Sequence, residues 1–302
     1  MTALTVTGLN VDFGRGRRIV HAVRDVGFEI AHGTTLGLVG ESGSGKSTVA
    51  RAVSGLVRPA GGSIGRPGGG KAHGVQMVFQ DPFSSLNPRM TVGRMFTEAL
   101  QLVDSKRTAD ELARLVHLPA EMIGKFPHEL SGGQRQRVAI GRALAVDPKV
   151  LILDEVTAAL DVSIQAAILD MLTQLQAELG FAALFISHDL AVVRQVCDEV
   201  AVMYLGHIVE LADAESLFRA PQHPYTRSLL AAIPGSHADE RLRALGEPAD
   251  PAFPPAGCHF HPRCPVGPRV RTDRAVCAGD DPFPGAGQRP HRVACHFPGE
   301  VA

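Results

Sequence analysis

One short segment restricts the possible folds of this chain more than any other. Residues 40–47 read GESGSGKS and fit the pattern G-x-x-x-x-G-K-[ST]. The apolar run TLGLVG leads into it, and a helix is predicted to begin near Ser47, which is the strand–loop–helix setting that the pattern requires. There, glycine N–H groups surround phosphate oxygens and the positive end of the helix adds to the attraction. We name this segment the phosphate-binding loop and assign to it Gly40, Glu41, Ser42, Gly43, Ser44, Gly45, Lys46, Ser47 and Thr48.

Two side chains of the phosphate-binding loop carry specific expectations. Lys46 is predicted to reach the β- and γ-phosphates of a nucleotide, and the Ser47 hydroxyl to ligate Mg²⁺. A glycine-rich turn with an incidental lysine would need neither the strand before it nor the helix after it.

The composition is that of an ordinary globular protein. The 302 residues are 45% hydrophobic and 20% charged, and the net charge of −1 gives no electrostatic reason to expect a nucleic acid partner. No apolar run approaches the roughly 20 residues that span a bilayer. The first residues, MTALTVTGLNVDF, do not resemble a signal peptide. We therefore expect a soluble intracellular protein.

Short apolar runs, interpreted as buried strands, alternate with amphipathic helices. The strand candidates are residues 35–40, 75–79, 149–154 and 182–187. One helix follows Thr91 as N-cap, with its apolar face at Val92, Met95, Phe96, Ala99, Leu100 and Val103. A second ends at Gly180, with its apolar face at Ile164, Ile168, Met171, Leu172, Leu175 and Leu179. This alternation predicts an α/β fold with a mainly parallel sheet and helices on both faces, preceded by 34 residues of β-rich turns and short strands.

The composition changes near residue 235. Of the 21 prolines, 14 lie from Pro221 onward, and four of the five cysteines lie in the last 45 residues. We therefore predict a body over residues 1–235 and a loop-rich extension over 236–302, which is too short to bury much core of its own. Such a unit usually needs a covalent or metal cross-link.

Polar residues follow the predicted strands at their carboxyl ends. Asp154 and Glu155 end the run VLILDE, Gln80 follows VQMVF, and His188 follows ALFIS. In doubly wound proteins ligands bind at this edge of the sheet. Asp154 is thus predicted to face Mg²⁺, and Glu155 is the candidate base for an attacking water.

A second candidate phosphate site is LSGGQRQR at residues 130–137, which lacks a lysine. Ser131 and the amides of Gly132 and Gly133 begin a helix that runs through Val138 to Leu144, so they form an anion site. The alternative is a structural helix cap.

In this order and spacing, GESGSGKS, Gln80, LSGGQ, LILDE, the Ala159-Leu160-Asp161 turn and Ser187-His188 resemble ABC-type ATPase subunits over residues 1–235. The resemblance implies a P-loop NTPase fold with a β-rich N-terminal subdomain and a helical subdomain at about residues 91–145. It also implies that LSGGQ closes over ATP held by the opposite subunit of a dimer, with contacts from Ser131, Gly132, Gly133 and Gln134.

The same resemblance gives roles to other residues. It implies that Gln80 touches Mg²⁺ and the attacking water, that Glu155 polarises this water, and that His188 contacts the γ-phosphate. Asp161 would organise the dimer seam. Phe13 is the candidate for stacking on adenine, with a place in the core as the alternative.

Four segments resemble the oligopeptide and dipeptide importers within this family, a group that includes nickel importers. They are residues 80–93, 127–144, 160–166 and 221–234. This resemblance implies a subunit on the cytoplasmic face of the cell membrane, two membrane permease subunits contacted through residues 80–93, and an extracytoplasmic substrate-binding protein. A heterodimer with a different ATPase chain is favoured over a homodimer. Val156 stands where proline is usual in the family.

The cysteine-containing extension resembles that of the same importers, in which some members hold a [4Fe–4S] cluster. The candidate ligands Cys258, Cys264, Cys277 and Cys295 have the spacing C-x5-C-x12-C-x17-C, which matches neither ferredoxins nor zinc ribbons. Zinc, with His259, His261 or His291 as substitute ligands, and free thiols remain alternatives. Cys197 is predicted to be a buried structural thiol.

Two other function classes remain open beside the importer. Soluble ABC ATPases of DNA maintenance carry a long insertion between the phosphate-binding loop and LSGGQ, which is absent here. A redox-sensing regulator would use the cysteines as its output.

Overall fold

The structure is a computed structural model that describes residues 1–15, 18–67, 74–103, 105–158, 160–233, 244–247, 249–283 and 291–300. The chain forms two compact units. Unit 1 comprises Met1–Leu4, Ile30–Thr34 and Gly65–Phe185, and unit 2 comprises Thr5–Glu29, Thr35–Ile64 and Ile186–Ala302. The boundary predicted near residue 235 lies outside the described residues and stays a prediction, and Ala159 lies outside them too.

Long strands replace the short strands and turns that we predicted for the first 34 residues. β1 (Thr2–Arg15) and β2 (Arg18–Ala31) have 14 residues each and join β4 (Gly61–Gly65) in the order β2-β1-β4. Val26, Phe28 and Ile30 are buried and alternate with less buried residues, as expected of a strand with one face on the core. The prediction of turns was wrong because polar residues on the outer face resemble loop sequence.

The other strands mainly in unit 2 follow the order β10-β9-β8-β3. They are β3 (Thr35–Val39), β8 (Glu199–Tyr204), β9 (His207–Asp213) and β10 (Arg292–Val293). β3 and β8 are parallel, but β8–β9 and β9–β10 are antiparallel, so this part of the sheet is mixed rather than parallel. Leu205 and Gly206 both have positive φ and join β8 to β9 as a two-residue hairpin.

Five helices of unit 2 accompany these strands: α1 (Lys46–Val53), α7 (Leu190–Val196), α8 (Ala214–Arg219), α9 (Pro224–Ala231) and α10 (Val276–Gly279). Cys197 follows α7 directly and is buried, as predicted.

Unit 1 contains three strands and five helices in its described part. The strands β5 (Val75–Val78), β6 (Val150–Asp154) and β7 (Ala182–Ile186) follow the order β7-β6-β5, with β5 parallel to β6. The helices are α2 (Pro82–Ser85), α3 (Val92–Gln101), α4 (Ala109–Leu115), α5 (Gly132–Leu144) and α6 (Val162–Leu179). All four strands predicted from apolar runs are confirmed as β3, β5, β6 and β7.

The two predicted amphipathic helices are confirmed as α3 and α6. Thr91 is the N-cap residue of α3, although its side chain makes no capping hydrogen bond, and Val103 lies beyond the helix end. Gly180 ends α6 in the left-handed conformation, with φ of 69°. Among the described residues, none of the helices combines the length and apolar character needed to cross a membrane.

Candidate functional site

The phosphate-binding loop connects β3 to α1 in unit 2. Every residue of β3 is buried, which fixes the start of the loop. Gly40, Gly43 and Gly45 have positive φ values of 152°, 78° and 108°. A Cβ on Gly40 would lie 2.9 Å from Ser44 Oγ and closer still to the Met203 carbonyl oxygen. The conformation at Gly40 therefore accepts only glycine.

Lys46 lies inside the phosphate-binding loop. The side chain is buried, and its Nζ donates to the carbonyl oxygens of Gly40 at 2.8 Å and Glu41 at 2.9 Å. It also lies 3.4 Å from Ser44 Oγ. Oxygens of the loop thus hold the ammonium group where a bound phosphate would need it.

Ser47 and Thr48 lie in the first turn of α1. Gly45 is the N-cap residue, and it has no side chain with which to cap the helix. The arrangement leaves the positive end of α1 facing the loop.

Two predicted nucleotide contacts lie elsewhere in unit 2. Phe13 is on β1 with 43% of its surface exposed, so it is not a core residue. His188 is exposed and directly precedes Asp189, the N-cap residue of α7. Both side chains are therefore at the surface of the unit.

In unit 1 the structure brings two predicted catalytic residues together. Gln80 Nε2 donates to Glu155 Oε2 at 2.8 Å. The parallel register of β5 and β6, which pairs Val78 with Leu153, sets their ends side by side. Glu155 has a positive φ of 49°, a strained conformation that is common at functional sites. Asp154 is buried at the end of β6.

The LSGGQ segment forms the N-terminus of α5. Ser131 Oγ accepts from Gln134 N at 3.3 Å, and Gln134 Oε1 accepts from Ser131 N at 2.8 Å, which is a capping box. Gly132 is exposed, whereas Gly133 is buried so closely that a Cβ there would lie 2.5 Å from Ile164 Cγ2. The segment is therefore a helix cap. Ser131 and Gly132 are also exposed, so they are accessible to an anion.

Asp161 is the N-cap residue of α6, the helix whose Ile164 lies against Gly133. Its Oδ1 accepts from Ile164 N at 2.9 Å and from the Ser163 hydroxyl at 2.7 Å. These bonds, the first above all, lower the pKa of Asp161. The carboxylate is thus ionised and fixed at the helix start.

Residues 80–93, the segment expected to meet the permeases, are attached to α5. Arg142 Nη1 donates to the Ser85 carbonyl at 2.7 Å. The Arg135 guanidinium lies 5.2 Å from the ring centroid of Phe83, which is half exposed. A movement of α5 would therefore be transmitted to this surface.

The four cysteines of the extension line one cavity in unit 2. Cys258, Cys264, Cys277 and Cys295 all border it, and all are free thiols. Burial raises the pKa of Cys258 and Cys264 to about 12 and that of Cys295 to about 11. Within the described residues, no group of three or more His, Cys, Asp or Glu side chains is gathered closely enough to hold a metal ion.

Two buried nitrogen donors border the same cavity. His223 Nδ1 accepts from Tyr225 N at 3.0 Å, which places the ring proton on Nε2, and Nε2 is buried on the side of the Ala294 carbonyl. Burial lowers the pKa of His223 to about 3, although the nearby Ala294 carbonyl opposes this. Arg274 Nε is buried and has no hydrogen-bond partner among the described residues, while Arg274 Nη2 pairs with Glu300.

These donors bear on whether a metal group fits the cavity. Arg274 lowers the pKa of Cys264, Cys277 and Cys295 against the effect of burial. A cation and an unpaired N–H beside four thiols suit a group of negative charge, and thiolates bound to a metal supply it. The residues therefore fit a thiolate-ligated centre in chemistry, although their present spacing is too wide to form one.

Sequence reasoning missed three residues of this region: Tyr225, Arg263 and Arg274. Tyr225 lies in residues 221–234, a segment used above only for its resemblance to the importers, and Arg263 directly precedes Cys264. The sequence offered only an arginine next to a cysteine as a signal, and Glu41, the partner of Arg263, lies 222 positions away.

Comparison with known proteins identifies the family. The ABC transporter model matches residues 23–158, and the model of the oligopeptide/dipeptide transporter C-terminal region matches residues 209–268. The chain is 45% identical over 283 residues to a Brucella ovis protein named for ATP binding in peptide import, covering 87% of this chain and 89% of that relative. The chain belongs to the ABC transporter family.

Further relatives agree with this assignment. This ABC ATPase is 43% identical over 291 residues to the oligopeptide transport ATP-binding protein OppF of Escherichia coli (strain K12), covering 88% of this chain and 87% of OppF. Its fold matches cbiO1 of Clostridium perfringens, part of the ABC transporter complex cbiONQ, with TM-score 0.63, 29% identity and coverage of 72% and 91%. It also matches the ATP-binding cassette MJ0796, a dimer bound to ADP and Pi, with TM-score 0.63, 25% identity and coverage of 70% and 98%.

The family confirms the P-loop fold of an ABC-type ATPase, ATP with Mg²⁺ as ligands, and ATP hydrolysis as the activity, but it does not confirm the cysteine-containing extension as predicted. The C-terminal model ends at residue 268, so it includes Cys258 and Cys264 but neither Cys277 nor Cys295.

Proposed function

We propose that this ABC ATPase hydrolyses ATP to power an importer for peptides. The observation that carries the proposal is the match to both family models in one chain, the second of them the oligopeptide/dipeptide C-terminal region. The names of the relatives, which refer to peptide import and oligopeptide transport, favour an importer over DNA maintenance. We further propose that it works at the cytoplasmic face of the membrane with two permease subunits and an extracytoplasmic substrate-binding protein.

Each of the two units has its own set of residues in this proposal. In unit 2, Lys46 binds the β- and γ-phosphates, Ser47 gives a hydroxyl oxygen to Mg²⁺, and His188 contacts the γ-phosphate. Phe13, exposed on β1, offers a ring to adenine.

In unit 1, Glu155 accepts a proton from the attacking water, and the Gln80 amide that bonds it orients the carboxylate. Gln80 and Asp154 give Mg²⁺ further oxygens, the ligand type this ion prefers.

We propose that ATP is held between the phosphate-binding loop of one subunit and LSGGQ of another. Ser131 and Gly132 are exposed at the start of α5, where a partner's γ-phosphate would meet the helix N-terminus, and a Cβ on Gly132 would lie 3.5 Å from Cδ2 of Leu160, the residue before Asp161. A different ATPase chain is our preferred partner. Light scattering on Glu155→Gln protein with ATP and Mg²⁺ tests this: a stable homodimer would contradict the preference for a heterodimer.

The catalytic role of Glu155 has a direct test. The Glu155→Gln protein should bind ATP with wild-type affinity but hydrolyse it more slowly by a factor of roughly 10² or more, because the amide cannot accept a proton. Phosphate release measures the rate. Glu178→Gln, which changes an exposed carboxylate on α6, is the matched control and should retain full activity. A near-normal rate in Glu155→Gln would assign the base elsewhere.

We also propose that Cys258, Cys264, Cys277 and Cys295 hold an iron–sulfur cluster, with zinc as the alternative. The shared cavity, the nearby Arg274 guanidinium and its buried Nε–H, which lacks a partner among the described residues, support this. Such a centre would bind the thiolates and accept hydrogen bonds on its sulfurs. Iron, acid-labile sulfide and zinc analysis of anaerobically purified protein distinguishes the two, and the absence of all three would contradict the proposal.

A further inference from the structure

An arginine of the cysteine-containing extension forms an ion pair with the phosphate-binding loop. Arg263 Nη1 donates to Glu41 Oε2 at 2.9 Å, and Arg263 Nη2 donates to Glu41 Oε1 at 3.1 Å. The Arg263 side chain is 9% exposed and that of Glu41 is 29% exposed. Two parallel bonds between a guanidinium and a carboxylate fix direction as well as distance. The pair therefore sets the position of Glu41 rather than merely balancing its charge.

The backbone of Glu41 is held as well. Its N–H donates to the Tyr225 hydroxyl at 2.9 Å, and its carbonyl accepts from Lys46 Nζ at 2.9 Å. Arg263 and Tyr225 thus fix the residue whose carbonyl oxygen holds the lysine of the loop. A displacement of Glu41 would move one of the oxygens that orient Lys46.

Aromatic packing makes this attachment rigid. Phe260 packs edge-on against Tyr204 and Tyr225, with both centroid separations 5.3 Å, and the Arg263 guanidinium lies 5.9 Å from the Phe260 centroid. Arg263 N donates to the Phe260 carbonyl at 2.9 Å. The rings are buried, so Arg263 is held on a packed surface and not on a free loop.

The same segment carries two of the cavity cysteines. Cys264 directly follows Arg263, and Cys258 begins the turn, where its N–H donates to the Cys277 carbonyl at 2.9 Å. Any change that brings the thiols closer together must displace the seven-residue segment 258–264, which contains Arg263 near its end. The cavity and the phosphate-binding loop therefore share one structural element.

We propose that residues 258–264 position the phosphate-binding loop, with Arg263 acting through Glu41 on Lys46, so that the cysteine cavity and the nucleotide site are energetically coupled. This rests on the proposed role of Lys46 in ATP binding. Arg263 is a positioning residue: it touches the loop and not the nucleotide. Coupling between two sites is reciprocal, so ATP must also affect the cysteines.

The first test measures ATP affinity by calorimetry with Mg²⁺, using the full chain in the Glu155→Gln background to prevent turnover. We expect Arg263→Gln to weaken binding roughly tenfold, within the usual range for coupled sites. The matched control is Arg271→Gln, because Arg271 belongs to the same region but pairs with the exposed Asp273 at 3.4 Å. Equal affinity in the two variants would overturn the positioning role.

Two more variants keep the result interpretable. Glu41→Gln breaks the pair from the other side and should weaken binding even if Arg263→Gln folds poorly. Lys46→Ala distinguishes the positioning role of Arg263 from the proposed role of Lys46 in ATP binding. If Lys46→Ala loses ATP binding while Arg263→Gln binds ATP normally, only the positioning role is overturned. Normal binding in Lys46→Ala overturns the proposed function on which it rests.

The second test uses the reciprocal effect and needs no catalytic activity. Thiol labelling resolved by mass spectrometry should be slower at Cys258 and Cys264 when ATP and Mg²⁺ are present, and Arg263→Gln should abolish this difference. Cys197, also buried, is the internal control: faster labelling there would report general loosening of the fold. ATP protection that persists unchanged in Arg263→Gln would refute the coupling.

Discussion

Two glycines of the phosphate-binding loop should respond very differently to the same substitution. Gly40 and Gly43 are three residues apart and both have positive φ, of 152° and 78°. A Cβ at Gly43 would meet no atom of the described residues within 4 Å, whereas at Gly40 it would lie 2.9 Å from Ser44 Oγ and nearer still to the backbone oxygen of Met203. Alanine at each position therefore separates conformational strain from steric overlap.

The expected magnitudes follow from this geometry. Gly43→Ala should lower the free energy of unfolding by about 1–2 kcal/mol, the usual cost of a left-handed conformation with a Cβ. Gly40 has a backbone conformation that is almost entirely restricted to glycine. In Gly40→Ala the strained backbone should lower the free energy of unfolding by about 1–3 kcal/mol, and the steric overlap of the new Cβ by about another 1–3 kcal/mol. The gain from a less flexible unfolded chain, about 0.4–1 kcal/mol, applies to both variants and cancels in the comparison. We expect Gly40→Ala to be the less stable variant by about 2–3 kcal/mol.

Urea unfolding monitored by circular dichroism measures both differences. The slopes of free energy against urea should match those of the wild type, so that the midpoints report stability. Gly40→Ala should also lose ATP binding, because relief of the overlap displaces the carbonyl that holds Lys46. Equal midpoints for the two variants would show that the loop relaxes around a Cβ at position 40. They would refute the expected overlap of this Cβ with the Met203 carbonyl oxygen and Ser44 Oγ.

Two further predictions concern the histidines and the cysteine cavity. Burial lowers the pKa of His207 to about 3, so only the unfolded chain takes up this proton as the pH falls below 6.5, and stability falls with it. Between pH 7 and pH 5 this histidine lowers the free energy of unfolding by about 2 kcal/mol, and His207→Phe should remove this loss. If the urea midpoint of His207→Phe fell with pH as strongly as that of the wild type, the lowered pKa of His207 would be contradicted. Arg274→Gln removes the cation that favours the thiolates of Cys264 and Cys295, so we expect less bound metal by elemental analysis, while the control Arg271→Gln keeps the wild-type amount.

Much of the fold could be predicted because its signals are local. The strands β3, β5, β6 and β7 are apolar runs, and each is followed within two residues by a polar residue that the sequence singled out. The phosphate-binding loop carries its conformation in its own glycines. The placement of Gln80 and Glu155 at one edge of the sheet followed from the rule that parallel strands end at the same edge, whereas their hydrogen bond was not predicted.

Other features depend on contacts that no local pattern records. The hairpin between β8 and β9 turns at Leu205 and Gly206, and a leucine with positive φ is not a turn signal. The bond between Arg263 and Glu41 joins residues 222 positions apart. Sequence reasoning therefore found the phosphate-binding loop and the cysteines but could not connect them.

The ion pair also explains how a carboxylate can belong to a loop that binds phosphate. An unpaired Glu41 would repel the phosphates, and Arg263 offsets that charge while leaving the Glu41 carbonyl to Lys46. Arg263→Gln should therefore weaken ATP binding in two ways. It removes the ion pair that positions the phosphate-binding loop, and it leaves the negative charge of Glu41 without its offsetting cation. The double variant Glu41→Gln with Arg263→Gln removes both charges, and such neutral replacements are often tolerated. It should therefore bind ATP more tightly than Arg263→Gln alone, whereas additive losses in calorimetry would mean that Arg263 acts by some route other than Glu41.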